Sequence, residues 1–179
     1  MPLPPVEERI GHRFDSPELL EEALRHGSAT RREGKRSYER LEFLGDAVLN
    51  LCVAREVFRL LPLAGEGTLS RVRAAVINNR SLVRVGERLG VPEALHTDPS
   101  VRRKGSGVTH KMIADAVEAI AGAVFLDGGF GAAVAFVRNH FRLPDRIGGS
   151  EETLLQLRAE EEDPARPRLV DVVQETTAR

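Results

Sequence analysis

Cysteine is almost absent from this 179-residue sequence, where Cys52 stands alone. A single thiol excludes an internal disulfide, and no Cys/His cluster has the spacing of a zinc site. Cys52 lies in an apolar stretch and reads as a small buried hydrophobe. No apolar run approaches the roughly 20 residues that span a bilayer, and the opening MPLPPVEERI lacks the apolar centre of a signal peptide. No membrane partner and a cytoplasmic location are the expectations. Strand patterning is missing too: no segment alternates with period two over strand length, and no internal repeat is present. That leaves an all-α fold. The length suits one compact domain with room for a tail. Charge divides the chain the same way, with 22 Lys+Arg against 19 Asp+Glu over 1–147 and 4 against 8 over 148–179. The expected division is a mildly basic domain at 1–147 and an acidic, largely disordered C-terminal tail at 148–179.

What is present is organised around Tyr38 to Leu51, YERLEFLGDAVLNL. Glu39, Glu42 and Asp46 fall at helical spacings of three and four inside an apolar helix, so the three carboxylates share a face. Taking an ionised carboxylate out of water costs on the order of 3 kcal/mol or more unless a cation or dense hydrogen bonding compensates. Three together point to a cation. The helix is expected to end near Pro62. Gly45, beside Asp46, costs helix stability of about 1 kcal/mol relative to alanine, which predicts close approach there by another helix or a ligand.

Around this helix the spacing predicts a first helix capped by Asp15 or Ser16, with Pro17 in its first turn, running to about His26. GSATRREGKRS follows as a basic loop carrying Arg31, Arg32, Lys35 and Arg36, either simply solvated or able to hold phosphates. Beyond Pro62, LAGEGT forms a turn around Glu66, Thr68 caps the next helix, and a further helix stops at Gly90. VRRKGSG (101–107) reads as a second basic loop. Thr109 then caps HKMIADAVEAIAGAVFLDGG, in which Asp115 and Glu118 sit one turn apart. Gly128 and Gly129 end that helix, and FGAAVAFVRNHF makes the last, for about seven or eight in all.

Two helices thus offer paired acids, Glu42 with Asp46 and Asp115 with Glu118. If they pack face to face, four carboxylates converge. All-oxygen ligation selects hard cations, Mg²⁺ by default and Mn²⁺ as substitute. Such sites usually serve phosphoryl chemistry, and basic loops beside one suit a nucleic-acid backbone. A di-iron site would need a Glu-x-x-His on each of two helices, and only Glu93 with His96 supplies one. A single such acid is more often solvated or paired with arginine; two pairs on two apolar helices are harder to explain that way. His26 and His110 fall at helix ends and read as caps or surface residues.

ERLEFLGDAVL (39–49) resembles the signature of the ribonuclease III catalytic domain. LRHGSA before it, then EGTLSRVRAAVIN, the GSG loop and IADAVEAIAGAVFLDGG after it, agree in order over residues 8 to 142. The resemblance implies a helical, homodimer-forming ribonuclease III-type endonuclease domain. It implies that Glu42, Asp46, Asp115 and Glu118 hold metal, with Asp46 and Glu118 most directly tied to cleavage, and that Glu39 and Glu66 help place the RNA. The implied activity is metal-assisted hydrolysis of double-stranded RNA, leaving 5′-phosphate and 3′-hydroxyl ends with a two-nucleotide 3′ overhang, in the processing of rRNA and other structured RNA. Two departures stand out. Tyr38 occupies a position where the family usually has Asn, outside the inferred ligands. The acidic tail stands where bacterial members continue into a double-stranded-RNA-binding domain, so an accessory RNA-binding protein is an expected partner. The rival reading is a non-catalytic, dimeric RNA-binding or scaffolding protein of the same fold; retention of all six acids argues against it.

Overall fold

The computed structural model describes residues 6–103 and 107–143. The tail expected over 148–179 and the middle of the basic loop near 105 lie outside the described residues. Nine helices are present among the described residues: α1 (Val6–Ile10), α2 (Pro17–Ala23), α3 (Gly27–Glu33), α4 (Glu39–Leu60), α5 (Glu66–Val76), α6 (Asn79–Leu89), α7 (Val91–Ala94), α8 (Pro99–Arg103) and α9 (His110–His140). No strand occurs among them, only an isolated bridge between Arg25 and His96. The all-α expectation holds. The excess over seven or eight comes from short helices that carry too few residues to show a period.

Three local expectations change. GSATRREGKRS is not wholly loop: His26 accepts a hydrogen bond at Nδ1 from the Ser28 amide at 3.0 Å and starts α3, which Gly34 ends in the left-handed region at φ 64°. The side chain of Ser16 does not cap α2. Instead the Asp127 carboxylate, from α9, accepts from the amides of Ser16 and Asp15 at 2.9 and 3.1 Å and bonds His12 Nε2 at 2.8 Å. Thr68 does not begin α5, which starts two residues earlier with Glu66 at the positive end of its dipole. The other expected caps hold. Thr109 Oγ1 accepts from the Met112 amide, and Gly90 closes α6 at φ 78°.

The core is built on α4 and α9. From α4, Leu49, Cys52, Val53 and Val57 are wholly buried; from α9, Ala116, Val117, Ala119, Ile120, Ala123 and Val124 are. Burial pushes the Cys52 thiol up to about 11, which leaves it an unreactive filler, as its surroundings in sequence suggest. By composition α9 is long and apolar enough to cross a membrane, but half of that stretch is buried inside the protein, against α4 and α6. Gly129, at φ 72° and ψ −170°, breaks α9 so that its second half folds back against the rest.

The α4–α9 crossing is unusually close because it is made by glycines. A Cβ at Gly45 would lie 1.7 Å from the Glu118 carbonyl oxygen, and one at Gly122 would lie 2.4 Å from that of Leu41. Gly45 therefore serves a contact with α9 of its own chain. That contact sets the distance between the two helices that carry the paired acids.

Candidate active site

Glu42 lies on the first turns of α4, and Asp115 and Glu118 lie on the first third of α9. Across the glycine contact, one carboxylate oxygen from each lies within 4.8 Å of the others, and all three side chains are half-buried. Two unit charges at that separation repel by about 3 kcal/mol at an effective dielectric constant near 20. Three ionised carboxylates so placed need positive charge among them.

The electrostatics carry that mark. Glu118 is pushed up to about 7, first by burial and then by Asp46, Glu42 and Asp115. Glu42 is raised by burial and by Asp115 and Glu39, with Lys111 opposing. Asp46 is not within the three-acid group. It sits one turn along α4, exposed, with its carboxylate accepting from Asn50 Nδ2 at 3.0 Å. It acts on Glu118 through charge and forms the outer rim. The all-oxygen donor set, with more negative charge than the single Lys111 ammonium balances, fits a hard divalent cation.

Two further residues belong to the site and were not expected there. Lys111, one turn before Asp115 on α9, donates from Nζ to both carboxylate oxygens at 2.7 and 2.8 Å while its side chain stays 77% exposed. Its signal in sequence was the i,i+4 Lys–Asp spacing. Tyr38 is buried, and its hydroxyl donates to Asp115 Oδ2 at 3.4 Å. Burial, together with the neighbouring acids, raises its phenol well above the usual range, so the ring stays protonated and a donor. A departure that lies outside the inferred ligands thus touches one of the four acids. The His26 ring packs edge-on to Tyr38 at 5.7 Å, and burial lowers its pKa, which suits its role as a neutral cap.

Glu39 and Glu66 stand apart from the cluster. Glu39 is exposed on the first turn of α4, and its Oε1 would lie 3.2 Å from a Cβ at Gly27, over the start of α3. Glu66 is exposed in the first turn of α5, accepting from Ser70 Oγ at 2.8 Å.

Beside the acids, α4 presents Phe43, Leu51 and Phe58, exposed by 82, 58 and 71%, and α9 adds Leu126 and Phe130 at 53 and 38%. Residues 43, 51 and 58 return to one side of α4 at helical spacing, so the large apolar side chains are gathered rather than scattered.

The family model described as Ribonuclease-III-like matches residues 16–144. The chain belongs to the ribonuclease-III-like family. It is 46% identical over 132 residues to the Ribonuclease 3 of Alkalilimnicola ehrlichii, covering 73% of this chain and 56% of that protein. With the Ribonuclease 3 of Ralstonia pickettii it shares 40% over 162 residues, covering 87% and 62%. The chain therefore spans somewhat over half the length of these curated relatives. Among solved structures, a nuclease domain of ribonuclease III from Campylobacter jejuni superposes with a TM-score of 0.71 at 33% identity, over 76% of this chain and 94% of that one. A second structure of that domain gives 0.68 at 29%, over 91% and 97%. The first is described as structurally flexible in a region involved in dimer formation. The expected ribonuclease III-type helical fold is thus found.

Proposed function

We propose that this chain is the catalytic part of a divalent-metal-dependent endoribonuclease that cleaves double-stranded RNA as a homodimer. The convergence of Glu42, Asp115 and Glu118 within 4.8 Å, with Asp46 at the rim, carries the reading. In it residues 1–147 form the catalytic domain and 148–179 an acidic tail. Mg²⁺, or Mn²⁺ in its place, would be held by Glu42, Asp46, Asp115 and Glu118, and would supply an acidified water and neutralise charge on the phosphate.

The chain's own residues do the rest. Tyr38 and Lys111 hold Asp115 from two sides and fix its rotamer. The Gly45–Gly122 contact holds the two acidic helices in register. Asp46 and Glu118 lie nearest the reacting phosphate in this reading, and Glu39 and Glu66 guide the strand to it. Water adds to phosphorus and the bond to the 3′ oxygen breaks, so the proton given up by water is balanced by the one the 3′-hydroxyl gains; the phosphate remains on the 5′ side. The apolar side of α4 meets its twin, and two sites facing across a minor groove would cut phosphates offset along the duplex, giving a two-nucleotide 3′ overhang. Structured RNA such as rRNA precursors is the substrate class, the location is cytoplasmic, and an accessory RNA-binding protein would strengthen capture.

Incubating a long RNA duplex with the protein and Mg²⁺, beside Asp46→Asn and Glu118→Gln, tests this. Cleavage into staggered ends by the wild type alone is expected. Equal cleavage by all three proteins would show the assignment to be wrong. Tight RNA binding without cutting in either metal would favour the non-catalytic scaffold instead.

A further inference from the structure

Lys111 already does at Asp115 part of what a metal would do there. Its Nζ donates to Oδ1 at 2.8 Å and to Oδ2 at 2.7 Å, so one ammonium spans both oxygens of the carboxylate. Among the described residues, no other ammonium or guanidinium forms an ion pair with Glu42, Asp46, Asp115 or Glu118. Burial first, and then the neighbouring acids, raise the Glu42 and Glu118 carboxyls, and Lys111 is the charge that opposes them. The cluster thus holds a cation of its own, on a side chain that is mostly exposed.

The oxygens that Lys111 holds are the ones a metal would need. A carboxylate oxygen offers two lone-pair directions, and Oδ2 already accepts from Lys111 and, at 3.4 Å, from the Tyr38 hydroxyl. Oδ2 can therefore accept a metal only by giving up the ammonium. Oδ1 has a second direction to offer, but an ammonium that kept its 2.8 Å bond there would share one oxygen with a divalent ion. Two cations on one oxygen repel, the more so in a half-buried cluster. Ammonium and metal are thus alternatives at Asp115. The two anchors of that carboxylate also differ in how readily they let go. Tyr38 is buried, and its amide donates to the Arg25 carbonyl at 2.9 Å. Lys111 reaches in from solvent on a flexible four-carbon stem.

We propose that Lys111 is the counter-cation of the metal-free site, a positioning residue that holds Asp115 until it yields the carboxylate to a divalent ion, and that it thereby sets the metal concentration at which the site fills. Tyr38 keeps its hold on Asp115 through the exchange. The inference rests on the reading of these acids as a metal site. It gives opposite signs to two measurable quantities: without the Lys111 charge the metal-free cluster is less stable, and the metal-bound one is easier to form. A lysine that merely supported the site would change both for the worse.

Binding of Mn²⁺ to the full chain in the absence of RNA, followed through the electron paramagnetic resonance signal of the free ion, tests this. Binding at the site is counted as the part that Asp115→Asn loses. Lys111→Met should bind Mn²⁺ about fivefold more tightly than the wild type, the upper end of what an exposed ion pair is worth, and should melt at a lower temperature in EDTA. Lys111→Gln should do the same, whereas Lys111→Arg, which keeps the charge, should stay close to the wild type in both. Affinity in Lys111→Met and Lys111→Gln that equals or falls below that of the wild type, while Asp115→Asn still loses the site, overturns the proposal and leaves the metal reading standing. An EDTA melt unchanged in both variants overturns it as well. If Asp115→Asn loses no Mn²⁺ binding, the metal reading falls and the proposal falls with it.

Discussion

Replacing Gly45 by alanine should push α4 away from α9 and pull the acid cluster apart. The added Cβ would lie 1.7 Å from the Glu118 carbonyl oxygen and 2.5 Å from its carbon, where ordinary contact begins near 3.4 Å. The obstacle is backbone, so no rotamer change relieves it. The helices must separate locally by about 1.7 Å to restore an ordinary contact. Overpacking of this kind costs about 1–3 kcal/mol, and the intrinsic helix preference of alanine returns less than about 1 kcal/mol. Taking the middle of that cost, about 2 kcal/mol, less up to about 1 returned, the net loss is about 1–2 kcal/mol; at about 2–4 °C per kcal/mol for a chain of this length, the melting temperature should fall by about 2–8 °C. Because Glu42 precedes Gly45 by one turn and Glu118 is the residue struck, the site should suffer as well. The rise in melting temperature on adding Mg²⁺, which measures binding to the folded state, should shrink. Gly67→Ala is the control: its Cβ would meet only the end of the Arg71 side chain, at 3.6 Å, so stability should hold or rise. Scanning calorimetry with and without Mg²⁺ reads both effects. A Gly45→Ala protein that melts like the wild type and keeps its full Mg²⁺ response would refute the idea that this contact spaces the site.

Glu118, held near 7 in the fold against an ordinary 4.5, takes up a proton on folding between those values, so the chelated protein should lose stability as pH rises from about 4.5 to 7. Thermal melts in EDTA at pH 5 and 8 should show the fall, and Glu118→Gln should flatten it. Glu56 is wholly buried and paired with Arg55, Arg59 and Arg138, the last at 2.8 Å; burial alone would raise its pKa, but the hydrogen bonds from Arg138 and Arg59 outweigh it and hold the carboxyl low. Glu56→Gln should cost about 2–3 kcal/mol in urea unfolding, below the full value for a broken buried pair because the arginines are half-exposed, and an unchanged midpoint would dismiss that role. Phe43→Asp or Leu51→Asp should leave the fold intact and shift sedimentation from dimer to monomer; a wild type already monomeric at micromolar concentration would rule out the α4 face as the contact.

Much of the fold was legible because its signals are local. The apolar spacing of α4 and α9, the Thr109 cap, the Gly90 stop and the Gly128–Gly129 break each act within a turn or two of the chain. The failures share one cause. The entry to α2 is held not by a Ser16 side-chain cap but by Asp127, over a hundred residues away, which takes the Asp15 and Ser16 amides. Likewise α3 grows from a sequence that looks like loop because His26, held by the backbone of His96, caps it. Neither partner can be read from neighbouring residues.

The site divides along the same line. That Glu42, Asp46, Asp115 and Glu118 stand on two apolar helices, at spacings that put each pair on one face, follows from residue order and the 3.6-residue turn alone. So do the donor chemistry and its preference for a hard cation. Only the packing decided which oxygens meet: Glu42, Asp115 and Glu118 in one group, Asp46 at its rim, Glu39 and Glu66 apart. It also added Tyr38 and Lys111, whose hydrogen bonds to Asp115 depend on the α4–α9 approach and on one helical turn respectively. The physical reason is distance. Periodicity specifies the face of a helix on which a side chain lies, whereas the separation between two helices is set where their backbones touch, here by two glycines that carry no side chain.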